Sequence, residues 1–230
     1  MSAPARVWVT RARPAADRTA ERLRALDLEP VVQPLLAVQP LFPALPDLDR
    51  FAALVFTSLN GVAAYAHLTP RRDAPVFAVG DATAQAARDA GFTEVRSAAG
   101  DLGDLARLLA GAAPDPLLAL AAETPAGDLV QSLRQAGGAQ TVEMLTVYRT
   151  VPTAAPVPPA VDAVLIHSPR AAREAARIRC PGDAVVACIS PAAAAPLQAV
   201  GRACAVSPRP NETDLLATLQ AALGKRDPHV

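Results

Sequence analysis

Five short turns carry the residue types that can do chemistry. They are Val9-Thr10-Arg11-Ala12-Arg13-Pro14, Phe56-Thr57-Ser58-Leu59-Asn60, Val79-Gly80-Asp81-Ala82-Thr83, Ile166-His167-Ser168-Pro169-Arg170 and Ile189-Ser190-Pro191-Ala192-Ala193. Each lies between an expected strand and an expected helix. In open parallel sheets, ligands bind along the edge where such turns collect. Helix starts also offer unpaired backbone N–H groups to anions. Small hydroxyl and acidic residues at these positions cap helices for stability alone as well. Five such turns, two of them with Arg11, Arg13 or Arg170 nearby, point to an anionic ligand held between two domains. Tyr148 stands in Val147-Tyr148-Arg149-Thr150. It reads equally as an amphipathic residue at a domain junction and as a hydroxyl aimed at a ligand.

Other chemistries find no footing. The chain has no GxGxxG, Walker A, GxSxG or HExxH motif and no paired-carboxylate motif. His67, His167 and His229 are too scattered to suggest a metal site. Neither cofactor nor metal is therefore expected. Cys180, Cys188 and Cys204 lack CxxC spacing, which argues against a disulfide scaffold or zinc ribbon. Lys plus Arg and Asp plus Glu both number 22, so formal net charge is zero and a dedicated nucleic-acid partner is not expected. Met1 to Thr10 carries no secretory pattern, and the longest apolar stretch, Ala184 to Val200, is broken by Ser190, Pro191 and Pro196. No membrane partner and a cytoplasmic location are expected.

The elements that must position these turns follow from hydropathy. The chain has 230 residues, 51% of them hydrophobic but only 3% aromatic, which suits alanine-rich helices on aliphatic strands. Val7-Trp8-Val9, Pro30-Val31-Val32, Ala53-Leu54-Val55-Phe56 and Val76-Phe77-Ala78-Val79 read as strands. Residues 15–26, 60–68, 82–90 and 102–109 read as helices, and Gly91 closes the third. This alternation implies βαβ units and parallel sheets. The second half repeats the first at an offset of 110 residues. Ser58 falls on Ser168, Gly91 on Gly201, and Leu54-Val55-Phe56 on Val164-Leu165-Ile166. The proline-rich stretches 33–46 and 148–159 read as extended connectors. The chain would leave one domain along the first, build the other, and return along the second. Two thin links of this kind would let the domains change angle.

Together these residues resemble the uroporphyrinogen-III synthase family over about Val7 to Leu219. The resemblance rests on Val9-Thr10-Arg11, Phe56-Thr57-Ser58-x-Asn60-x-Val62, Val79-Gly80-Asp81-Ala82-Thr83-Ala84 with Gly91-Phe92, Val147-Tyr148-Arg149-Thr150, Ser168-Pro169 and Ile189-Ser190-Pro191. It implies two similar parallel-sheet α/β domains joined by a two-stranded connector, both termini in one domain. Expected boundaries are 1–34 with 153–230, and 35–152 for the inserted domain. It also implies a monomer that cyclises the linear tetrapyrrole hydroxymethylbilane to uroporphyrinogen III, inverting the last pyrrole ring and losing water, without cofactor or metal. The substrate carries eight carboxylates and closes spontaneously to the wrong isomer. On the resemblance, Tyr148 is the expected general acid and Thr83 orients the substrate. Thr57, Ser58, Asn60 and Gly80 lie nearby, Ser168 and Ser190 face the substrate from the other domain, and Thr10 and Arg11 contact it at the first turn. Transient hand-over from hydroxymethylbilane synthase is a further expectation.

The chain departs from the family pattern in places. Ser190-Pro191-Ala192-Ala193 replaces glycine-proline-threonine-threonine, Asp27 replaces a glycine, and Leu120-Ala121-Ala122-Glu123 lacks an arginine and a glycine. The competing readings are a non-catalytic binder of tetrapyrroles or other anions, and a sensor domain of a transcriptional regulator.

Overall fold

The computed structural model describes residues 3–154 and 156–225. His229 and the outermost residues of the expected first domain lie outside the described residues. The chain divides into two compact units, Met1–Ala37 with Val151–Val230, and Val38–Thr150.

The first unit opens with β1 (Arg6–Val9), α1 (Ala15–Arg24) and β2 (Glu29–Val32). The chain crosses along β3 (Leu36–Pro40) and builds β4 (Ala53–Phe56), α2 (Leu59–Leu68), β5 (Val76–Ala78), α3 (Asp81–Asp89), β6 (Val95–Ser97), α4 (Leu102–Ala112), β7 (Leu117–Ala122) and α5 (Leu129–Gln135). It returns along β8 (Val142–Pro152). Then β9 (Ala163–Ile166), α6 (Pro169–Arg177), β10 (Val185–Cys188), α7 (Pro191–Gln198), β11 (Ala205–Val206) and α8 (Glu212–Gly224) complete the first unit. The sheet orders are β11-β10-β9-β1-β2 and β3-β8-β7-β4-β5-β6. The first sheet is parallel throughout, as is the second from β8 to β6. The connector strands β3 and β8 run in opposite directions. The Leu41 N–H donates to the Val147 carbonyl, and the Thr153 N–H to the Leu35 carbonyl.

Strand side chains alternate between two faces, and each sheet uses both. In the second unit Leu54, Phe56, Leu118 and Leu120 pack on α2 and α3 through Val62, Tyr65 and Ala87. Ala53, Val55, Leu117 and Ala119 pack on α4 and α5 through Leu105, Leu109, Leu129 and Leu133. In the first unit Val164, Ile166 and Val186 meet the alanines of α6 and α7, while Val7, Val9 and Leu165 meet α1 and α8. The sequence repeat is therefore a structural one. Ser58 and Ser168 start their helices at φ −161°, ψ 156° and φ −161°, ψ 155°. Gly91 and Gly201 both take left-handed backbone, φ 102° and 77°. Helix α1 ends at Arg24, short of the expected Leu26. Asp27, at φ 56°, takes a left-handed conformation that glycine would adopt without strain.

Arg72 closes the ends of two helices at once. Its Nε donates to the Ala90 carbonyl at 2.8 Å, and its Nη1 to those of Thr69 and Arg71 at 2.7 and 2.6 Å. The guanidinium also lies over the Tyr65 and Phe92 rings, 5.6 and 5.2 Å from their centroids. Arg72→Ala is expected to cost about 1–3 kcal/mol in thermal unfolding. Arg72→Lys should rescue little, because a point charge cannot reproduce the planar fork.

Candidate active site

In the second unit a cavity of 370 Å³ opens beside the carboxyl ends of β4 and β7. Its polar lining comes from Thr57, Ser58, Asn60, Thr124, Tyr148 and Thr150, and its apolar floor from Leu102, Leu120, Leu129 and Met144. Two local features build it. The first is the start of α2. Ser58 accepts the Gly61 N–H at 3.2 Å, capping the helix. A Cβ on Gly61 would sit 3.0 Å from the Leu120 carbonyl, so glycine lets α2 begin tight against β7.

The second feature is a β-bulge. Leu120 pairs with Leu145 and Ala121 with Thr146, but Ala122 pairs with Tyr148. One extra residue in β8 thus breaks the alternation, as bulges do when they re-aim a side chain. Val147 and Tyr148, though consecutive, both pack into the same core cluster. The Glu123 N–H holds the Tyr148 carbonyl at 2.9 Å. The Tyr148 hydroxyl then reaches Ser58 Oγ at 2.9 Å, across 90 residues of sequence.

Thr57, Ser58, Asn60 and Tyr148 are therefore brought to one cavity. Gly80 and Thr83 do not line it. Gly80 starts α3 without a side-chain cap, and Thr83 is buried in the first turn that follows. Ala193, the repeat counterpart of Thr83, is a core residue, and Ser190 caps its helix by accepting the Ala193 N–H at 3.2 Å. Ser168 likewise accepts the Ala171 N–H at 3.1 Å. Thr10, expected on the resemblance to contact a ligand, lies at the end of β1 in the first unit. Its side chain is fully buried, and its hydroxyl donates to the Leu165 carbonyl at 2.6 Å, tying β1 to β9. The loop Thr124-Pro125-Ala126-Gly127 lines the cavity, although the sequence reading did not include it. It bears the same signature as the other turns, small and hydroxyl residues after an aliphatic run.

Arg11 belongs to a separate polar cluster in the first unit. Its Nη1 donates to Glu212 Oε2 at 3.0 Å, Thr19 Oγ1 donates to Oε1 at 2.6 Å, and His167 Nε2 lies 3.1 Å from Oε2. Burial alone would raise the Glu212 carboxyl. The hydrogen bonds from His167 and Thr19, with the charges of His167 and Arg11, outweigh burial and bring it down to about 2 from an ordinary 4.5. A depressed carboxyl stabilises the fold above its ordinary value, and that contribution disappears as pH falls toward its folded value. Glu212→Gln should therefore unfold at a lower temperature than the parent at about pH 6, with the gap shrinking below about pH 4.5 and closing as pH falls through about 2.

Among the described residues no group of three or more His, Cys, Asp or Glu is placed to hold a metal ion. None of the described helices is long and apolar enough to cross a membrane.

The sequence model of the family described as uroporphyrinogen-III synthase HemD matches residues 17–217. The fold is similar to that of uroporphyrinogen-III synthetase from Helicobacter pylori, with a TM-score of 0.63 at 17% identity over 95% of this chain and 99% of that one. It is also similar to a mutant uroporphyrinogen III synthase from Thermus thermophilus, with a TM-score of 0.51 at 17% identity over 96% and 99% of the two chains. At these identities the solved structures speak for the fold alone. No curated protein sequence gives a significant match. The fold is the two-domain α/β fold of a cofactor-independent cyclising lyase. The chain belongs to the uroporphyrinogen-III synthase family.

Proposed function

We propose that the cavity of the second unit is where hydroxymethylbilane is cyclised to uroporphyrinogen III, and that Tyr148 is its general acid. The observation that carries this reading is the Tyr148 hydroxyl in the cavity wall, held 2.9 Å from Ser58 Oγ at the start of a helix. The electron-rich pyrrole expels the terminal hydroxyl with little help, so a phenol suffices to protonate it as it leaves. A positioned acid contributes about 10²–10⁴-fold. Ordering the chain for ring inversion, against spontaneous closure, draws on the about 7–11 kcal/mol that orientation can supply.

Thr57 and Asn60 orient the substrate in the cavity. Gly80 meets a carboxylate elsewhere on it, through the uncapped amides of α3. Thr83 lies in the first turn of the same helix. The same reading has the enzyme act as a cytoplasmic monomer. The lability of the substrate favours transient hand-over from hydroxymethylbilane synthase.

The test is to generate hydroxymethylbilane in place with the purified protein, oxidise the products and separate the isomers. Type III in excess of type I supports the reading. Only type I, at the rate of a protein-free control, would overturn it and leave a binder of anionic tetrapyrroles.

A further inference from the structure

We infer that Ser58 is a positioning residue: it fixes the direction in which Tyr148 offers its proton, through a hydrogen-bond chain that begins at the amino end of α2. The inference rests on the reading of Tyr148 as the acid. Ser58 Oγ has two partners, the Gly61 N–H at 3.2 Å and the Tyr148 hydroxyl at 2.9 Å. The amide can only donate, so Ser58 spends acceptor capacity on Gly61. Accepting that bond polarises the serine O–H and makes it a better donor. Of the two orders that the Ser58–Tyr148 contact allows, the one that leaves the tyrosine proton free for a ligand runs from Gly61 N–H to Ser58 Oγ, and from Ser58 O–H to the Tyr148 oxygen. The tyrosine proton is then left to point away from Ser58 and into the cavity. The reverse order would turn that proton away from the substrate.

The same chain serves the step itself. When Tyr148 gives its proton to the departing hydroxyl, water leaves and negative charge grows on the phenol oxygen. Ser58 already donates to that oxygen, and the positive end of the α2 dipole lies behind it. The proton is recovered when the pyrrole carbon that has formed the new bond sheds its own. Atoms and charge balance over the cycle with water as the sole by-product.

The first unit offers a contrast in the same chain. Ser168 has the same backbone angles and the same capping bond as Ser58. Capping alone thus accounts for a serine at this turn, and the second partner on Tyr148 is what sets Ser58 apart.

A double-mutant cycle tests the inference. Ser58→Gly removes the hydroxyl without adding charge, and glycine at an N-cap costs only a few tenths of a kcal/mol, so the variant should fold. Its kcat for type III formation is expected to fall about 10–100-fold, the value of one hydrogen bond to a charged oxygen. KM should stay within about twofold of the parent, because what is lost acts in the transition state. Ser58→Thr, which keeps the hydroxyl, should restore kcat to within about threefold. In a Tyr148→Phe background, Ser58→Gly should change kcat by less than about twofold, because the two act as a unit. Equal losses in both backgrounds would overturn the inference, as would a raised KM with kcat intact. Either would make Ser58 a direct substrate contact while leaving Tyr148 as the acid. Undiminished turnover by Tyr148→Phe alone would instead overturn the acid assignment and this inference with it.

Discussion

Tyr148→Phe is expected to lower type III formation by at least about 100-fold, the lower bound for a positioned general acid. The type I isomer should take its place, because closure without inversion needs no enzyme. The fold should survive the change. Phenylalanine fills the same space in a core cluster shared with Val147 and Leu120. The loss is one hydrogen bond to Ser58, worth about 0.5–1.5 kcal/mol. A melting curve close to the parent's, with single-turnover isomer analysis, checks both halves. A variant that still made type III at the parental rate would remove Tyr148 from the mechanism.

The largest stability effect should come from Phe56→Ala, at about 3–5 kcal/mol for truncating a buried phenylalanine. Phe56 is the last residue of β4 and is fully buried. Its ring meets Tyr65 edge-on, with centroids 5.9 Å apart at 76°, and Phe92 at 6.0 Å and 61°. The ring is enclosed by Leu54, Val62, Tyr65, Phe92 and Leu118 in a close-packed cluster, whose members cannot all move in to fill the gap. The melting temperature should drop by about 10 °C or more. Phe56 also immediately precedes Thr57 and Ser58. Activity measured well below the melting point should therefore fall along with stability, whereas a packing defect far from the cavity would spare it. Calorimetry and the isomer assay on the same preparation separate these outcomes.

The residues explain why some of this was legible in sequence and some was not. Ser58, Ser168 and Ser190 announce themselves, because a hydroxyl between an aliphatic run and an alanine-rich one is a local capping signal, and each does cap its helix. The two faces of each sheet follow from alternation along Ala53-Leu54-Val55-Phe56 and its counterpart 110 residues on. Tyr148 is different. Its residue type and neighbours left it open between a junction and a site, and only the resemblance chose between them. Its contact with Ser58 depends on β7 lying between β4 and β8, and on a one-residue bulge. Neither leaves a local trace.

Leu117–Ala122 has no β-branched residue. Its strand therefore went unread, and the Thr124–Gly127 loop behind it was missed. Thr10 is a second case. It has the composition of a ligand-facing turn, but full burial and its bond to Leu165 turn it into a tie within the sheet.

The central claim is that the tetrapyrrole is held at the cavity of the second unit. The most direct test is an anaerobic titration of the isotope-labelled protein with uroporphyrinogen III, followed through backbone amide resonances. The largest shifts are predicted at Thr57, Ser58, Asn60, Ala126 and Gly127, which line the cavity. Saturable binding with those amides unmoved would contradict the account and place the chemistry elsewhere on the chain.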